Sequence, residues 1–193
     1  MAKPTIAEMA ARQFDHLPGL TIGQQVAFCI GNLIMEWANC EGLLLSIYKC
    51  LLPSTDRHSI HVTWFSFNST RSRCDLLRRT AITAGIDAND IDALDAILAK
   101  FKTATTTRNL FCHGYYSVDQ DTNEPVSVDT ISLTLDEKAI KQASKKFNKS
   151  LVHELKQAIR VCQSTNTASW ELFRKLYAER KPQNVWLRPL PDG

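Results

Sequence analysis

The chain has 193 residues, 44% hydrophobic and 22% charged, which is enough apolar material for a buried core and too much for a disordered chain. A net charge of +3 tolerates a polyanionic partner without demanding one, so any nucleic-acid reading has to rest on particular residues. No run of about 18 apolar residues occurs, and the N-terminal MAKPTIAEMAARQFDHLPG lacks an apolar core of signal-peptide length, so a cytoplasmic protein without membrane contact is expected.

After Pro18-Gly19, apolar residues at Val26, Ile30, Leu33, Trp37, Leu44, Ile47 and Leu51 follow the three-and-four spacing of one helix face, and Pro53 ends this first helix. A polar connector with His58 and His61 comes next. Asn68, Ser69 or Thr70 caps a second helix that stops at Gly85 and carries Arg71, Arg73, Arg78 and Arg79. Asp87 caps a third helix, closed by Gly114. The period then changes: YYSVD and VSVDTISLT alternate and are rich in β-branched residues, and the polar QDTNEP between them predicts the turn of a β-hairpin. Helical spacing returns from Asp136 and resumes after a loose spot near Gln163. The expected architecture is mainly α, a helical bundle of about four long helices with a β-hairpin inserted between the third and fourth. It occupies 21–180, between an N-terminal extension at 1–20 and an extended, Pro-rich tail at 181–193.

Six cysteines lie scattered through helical segments with no Cys-x-x-Cys pair and no zinc-type spacing, which predicts reduced, buried thiols and neither a metal nor a cofactor. The His58/His61 pair has no acidic or cysteine partners at ligand spacing, so a loop or surface role is expected for it.

The stretch TTTRNLFCHGYY contains the least expected residues. At about 100° per residue, Arg108 falls within about 40° of the stripe formed by Leu94, Leu98 and Phe101, where a solvated arginine would not sit. Asn109 and His113 are four apart and share one flank of that stripe in the last turn. One reading is a pair of cations satisfying the helix dipole and its free carbonyls. The first helix supplies another: Glu41 falls on the face of Trp37, Leu44 and Tyr48, and Glu36 sits at its edge. A carboxylate and a guanidinium aimed at a core are costly unless they meet, which predicts a Glu41–Arg108 pair with Glu36 as the competing partner.

Arg108-Asn109-Leu-Phe-Cys-His113 resembles the Arg-polar-x-x-x-His signature of the HEPN superfamily, helical domains found among prokaryotic toxin, abortive-infection and CRISPR-linked ribonucleases. The context, from MEWANCEGLL through RSRCDLLRR to RNLFCHGYY and a hairpin, is similar, and the resemblance covers roughly Val26 to Gln163. It implies a metal-independent endoribonuclease cleaving single-stranded RNA to 2′,3′-cyclic phosphate and 5′-hydroxyl ends in a toxin–antitoxin or phage-defence setting, with an antitoxin as a possible partner. It also implies a homodimer in which two motifs form one cleft. His113 would exchange protons, Arg108 would hold the scissile phosphate through its planar fork, Asn109 would orient the histidine or the phosphate, and Glu41 or Glu36 would fix the arginine.

Arg71, Arg73, Arg78 and Arg79 are RNA-binding candidates, with Lys141, Lys145, Lys146 and Lys149 weaker ones that read equally well as a solvated helix face. Tyr115 and Tyr116 could stack an unpaired base, although one of two successive strand residues must turn to the packed side. His153 reads as packed or half-exposed, and Trp64, Trp170 and Trp186 as core or contact residues. Two readings compete with the ribonuclease: a non-catalytic HEPN-like module that binds RNA, a nucleotide or a partner protein, and a purely structural bundle.

Overall fold

The computed structural model describes residues 19–133 and 140–182. Most of the expected extension at 1–20 and tail at 181–193, Trp186 included, lies outside the described residues. Among those described, five helices and one small antiparallel sheet make the protein mainly helical: α1 (Ile22–Leu51), α2 (Arg57–Ser66), α3 (Thr70–Thr83), α4 (Ala88–Cys112), β1 (Tyr115–Val118), β2 (Pro125–Leu133), β3 (Ile140–Lys146) and α5 (Lys149–Arg180). None of these helices is long and apolar enough to cross a membrane.

The helix starts follow local chemistry. Thr21 and Gln24 form a reciprocal capping box, with Thr21 N donating to Gln24 Oε1 at 3.1 Å and Gln24 N to Thr21 Oγ1 at 3.3 Å. Asp56 caps α2 through Ser59 N, Ser69 caps α3 through Ser72 N, and Asn148 accepts from Leu151 N at the start of α5. Gly85, at φ +64°, ends the α3 segment in the left-handed conformation that glycine adopts without strain.

Three expectations are corrected. The connector after Pro53 contains a ten-residue helix, α2, because Asp56 satisfies its first turn and Ile60 and Trp64, four apart, are buried. The residues from Ile140 do not begin the last helix; they form β3, paired with β2 from Ser127↔Lys146 to Leu133↔Ile140. Ile140 and Ala143 mimic a helical spacing, but a nine-residue β2 has a second edge of backbone donors and acceptors, and β3 satisfies it. The predicted hairpin is present as β1–β2, enlarged to a sheet of order β1-β2-β3. Its turn is held by Asp119, whose carboxylate accepts from Asp121 N and Thr122 N, with Asn123 at φ 56°. These bonds hold the Asp119 pKa below the usual carboxylate range. The loose spot near Gln163 is absent: α5 runs through it, with the small polar Thr165 and Ser169, four apart, both buried.

The described chain divides into two compact units interleaved in sequence, Met1–Trp37 with Thr103–Gln163, and Ala38–Lys102 with Ser164–Gly193. The core of the first includes Val26, Leu33, Phe111, Val128, Leu155 and Ile159; that of the second includes Leu44, Ile47, Trp64, Leu94, Phe101 and Phe173. The six cysteines are free, four of them buried, and burial pushes the Cys50 thiol up to about 12 and that of Cys74 to about 11, so neither is a ready nucleophile.

Candidate functional site

The motif belongs to the first unit. Trp37, on the apolar face of α1, is 7% exposed, and its indole Nε1 donates to Thr105 Oγ1 at 2.8 Å, which fixes the plane of the ring. One turn beyond Thr105, the Arg108 guanidinium lies over that ring, 4.4 Å from its centroid. A half-buried contact of this kind contributes about 1–2 kcal/mol and holds the guanidinium plane without neutralising its charge. Arg108 Nη1 donates to Asn109 Oδ1 at 3.0 Å, and Arg108 Nε is buried with no hydrogen-bond partner among the described residues. No carboxylate pairs with Arg108 among them. The half-buried arginine therefore lies on the face that its helix phase assigns to it.

The expected Glu41–Arg108 pair is corrected. In the second unit Glu41 accepts from Arg73 Nη1 at 2.5 Å, while Arg73 Nε donates to Phe67 O at 3.0 Å and its guanidinium lies over Phe65 at 5.5 Å. Glu41 does face inward as its wheel position requires, but helix phase names a face and not the neighbour that meets it. Glu36 accepts from Gln163 Nε2 at 3.2 Å, so α5 as well as α1 holds it. The Glu41 and Arg73 side chains are 22% and 18% exposed, mostly out of water. Removing one partner of a fully buried pair costs about 3–5 kcal/mol, and the residual exposure reduces this to about 2 kcal/mol for Glu41→Ala. A melting temperature lower by about 4–8 °C is expected; an unchanged one would make this pair a solvated ornament of the surface.

His113 follows α4 directly. Its backbone N donates to Asn109 O at 3.1 Å, which continues the helical spacing, and its side chain is exposed with no hydrogen-bond partner among the described residues. The chain can turn sharply here because Gly114 has no Cβ: one built there would stand 2.3 Å from Val128 Cγ2 and 2.7 Å from Leu110 O. Gly114 is not in the left-handed region, so a close approach of the sheet, and not a C-cap conformation, is what this glycine provides.

Strand alternation separates the two tyrosines only in part: every β1 residue is exposed, Tyr116 still at 43%. Tyr116 pairs across the sheet with the buried Val128, its hydroxyl donates to Phe111 O at 2.6 Å, and its ring meets Phe147 edge-on at 6.3 Å. Tyr115 pairs with Asp129 and is 68% exposed, which leaves its ring open for stacking.

The arginines of α3 belong to the second unit and are used unequally. Arg73 is committed to Glu41, and Arg78 forms a two-point pair with Asp95 through Nε and Nη2 at 2.7 and 3.0 Å. Arg71 and Arg79 are exposed. Of the lysines, Lys145 pairs with Glu154, Lys146 and Lys149 are exposed, and the side chain of Lys141 lies outside the described ones. His153 is exposed on α5 beside Gln157, neither packed nor half-exposed. Among the described residues no three His, Cys, Asp or Glu side chains are grouped so as to hold a metal ion. A groove of about 350 Å³ in the second unit, with Asp90, Lys100, Glu171 and Lys175 on its walls, contains no motif residue.

Sequence reasoning missed Trp37 as the support of Arg108. A tryptophan on an apolar helix face reads as core, and only its position opposite a stray arginine could have marked it. Comparison with protein-family models, with curated proteins and with solved structures gives no match to this chain.

Proposed function

We propose that the chain is a HEPN-like, metal-independent endoribonuclease that cleaves single-stranded RNA in a toxin–antitoxin or phage-defence setting. The observation that carries this reading is the state of Arg108: clamped between Trp37 and Asn109, with no carboxylate partner and a buried, unsatisfied Nε among the described residues. A guanidinium held in place without a counter-anion is prepared for one, and the two non-bridging oxygens of a phosphodiester supply two-point geometry for it. Attack of the 2′-hydroxyl on phosphorus needs a proton removed there and one delivered to the leaving 5′-oxygen, with charge stabilised between them. The exposed His113, one turn from Asn109, is the proton carrier in this reading, and Arg108 stabilises the charge. Asn109 takes the arginine-fixing role that was expected of Glu41, and Tyr115 offers a face to a neighbouring base.

One motif supplies one histidine, while the acid and base roles are more readily shared by two, so the active species is proposed to be a two-fold homodimer with the motifs facing. Purified protein should cut single-stranded RNA with a chelator present, with specific activity falling on dilution below the dimer dissociation constant. Activity that needs added magnesium or manganese would remove the metal-independent mechanism, and a dilution-independent monomer would remove the composite site.

One observation favours a second reading. The His113 ring has no orienting partner among the described residues, as would suit a module that binds a phosphate at Arg108 without cutting. Binding of RNA with no cleavage of any varied substrate would select it.

A further inference from the structure

Outside the motif, the second unit carries a surface that the ribonuclease reading does not use. At the turn from α1 into α2, Lys49, Arg57, His58 and His61 lie within electrostatic reach of one another, and none of them forms an ion pair among the described residues. The carboxylate in this group, Asp56, caps α2 through Ser59 N at 3.0 Å and also attracts His58, which leaves Lys49, Arg57 and His61 without a close carboxylate among the described residues. Burial first, and then neighbouring cations, lower the proton affinity of both Lys49 and His61: Arg57 acts on Lys49, and Lys49, Arg57 and His58 act on His61. Beside these cations two apolar side chains stand open to water, Val62 at 53% and Phe65 at 58% exposed. His61 and Phe65, four apart on α2, have ring centroids 6.2 Å apart, and the Arg73 guanidinium also lies over the Phe65 ring.

We propose that this face of α2 is a binding surface for single-stranded RNA, in which Lys49, Arg57, His58 and His61 meet successive phosphates and Phe65, with Val62, receives an unpaired base. Basic groups with no close ion pair among the described residues, set beside an exposed ring, form the arrangement that a flexible polyanion with stackable bases satisfies, since each phosphate offers them the opposite charge. An acidic protein would match the charge, but it gives no reason for an open aromatic ring among the cations. The choice of RNA over DNA rests on the proposed activity; the surface itself does not depend on Arg108 or His113. Anion binding favours the protonated histidine, so affinity should rise as pH falls from about 8 towards about 6.

The test uses the full chain and a fluorescent single-stranded RNA that is 2′-O-methylated throughout, which can bind but has no 2′-hydroxyl with which to be cut. Phe65→Ala should weaken binding on the order of 10-fold with the salt dependence unchanged, since stacking releases no counterions. The double change Lys49→Gln, Arg57→Gln should weaken it and flatten the slope of log affinity against log salt by about 0.7 for each phosphate no longer neutralised. Arg174→Gln, an exposed charge elsewhere, is the control and should change little. If Phe65→Ala perturbs the fold, Phe65→Leu keeps the apolar volume and should still lose the stacking component. Unchanged affinity and slope in these variants, or a wild type that ignores the strand but captures an acidic polypeptide, would overturn the proposal. Loss of cleavage with Phe65-dependent binding intact would sink the ribonuclease reading alone.

Discussion

His113→Ala should reduce RNA cleavage by about 10²–10⁴-fold, the contribution of a positioned proton carrier, while leaving the melting temperature nearly unchanged. The two expectations separate because the chemistry proposed for His113 lies in an exposed ring, whereas its backbone bond to Asn109 O survives the substitution. Arg108→Ala should be comparably inactive but not structurally silent. It strips the buried Trp37 ring of its cover and should lower the melting temperature by a few degrees, about 1–2 kcal/mol. Arg108→Lys is the sharper variant: it retains the charge and loses the planar stack and the two-point geometry, so activity should remain low. Circular dichroism and initial rates on the three proteins decide the matter. A folded His113→Ala protein with wild-type turnover would take the histidine out of the chemistry.

Gly114→Ala carries the largest expected effect on stability. Its new methyl would overlap both Val128 Cγ2 and the carbonyl oxygen of Leu110, and the second of these is backbone that cannot rotate away. The sheet has to shift from the end of α4, at a cost near the upper end of about 1–3 kcal/mol, or about 6–10 °C in melting temperature. Gly31→Ala and Gly42→Ala provide the contrast. Both lie inside α1 with nothing within 4 Å of a built Cβ, so each should stabilise by about 0.5–1 kcal/mol. The same chemical change thus has opposite signs according to what surrounds it. A Gly114→Ala protein as stable as the parent would mean that the sheet does not press on the motif as described.

The helices were legible where an apolar stripe ran long, as in α1 from Val26 to Leu51, or where a cap and a stop bracketed the segment, as in α3 with Ser69 and Gly85. The fold failed to read where elements are short. In α2 only Ile60 and Trp64 are buried, too few to show a period, and β3 owes its existence to the open edge of β2, a partner that periodicity within the segment cannot reveal. Arg108 was legible because an arginine on an apolar stripe is costly, and the cost had to be met by something. What met it was not legible: stacking on Trp37 and an adjacent Asn109 leave no mark in helix phase, while Glu41 found Arg73 through the placement of α3. The α2 surface escaped notice for the same reason as α2 itself, since four cations and a phenylalanine spread over Lys49 to Phe65 read as a polar connector until a helix gathers them.

If Arg108 and His113 direct the 2′-hydroxyl onto its own phosphate, as proposed, the chemistry of the cut ends records it. Single-stranded RNA digested by the wild-type protein in excess chelator should yield fragments ending in 2′,3′-cyclic phosphate and beginning with 5′-hydroxyl, and one 2′-deoxy nucleotide on the 5′ side of the cut should block it. Fragments with 3′-hydroxyl and 5′-phosphate ends, or cleavage indifferent to the 2′-deoxy substitution, would contradict the account.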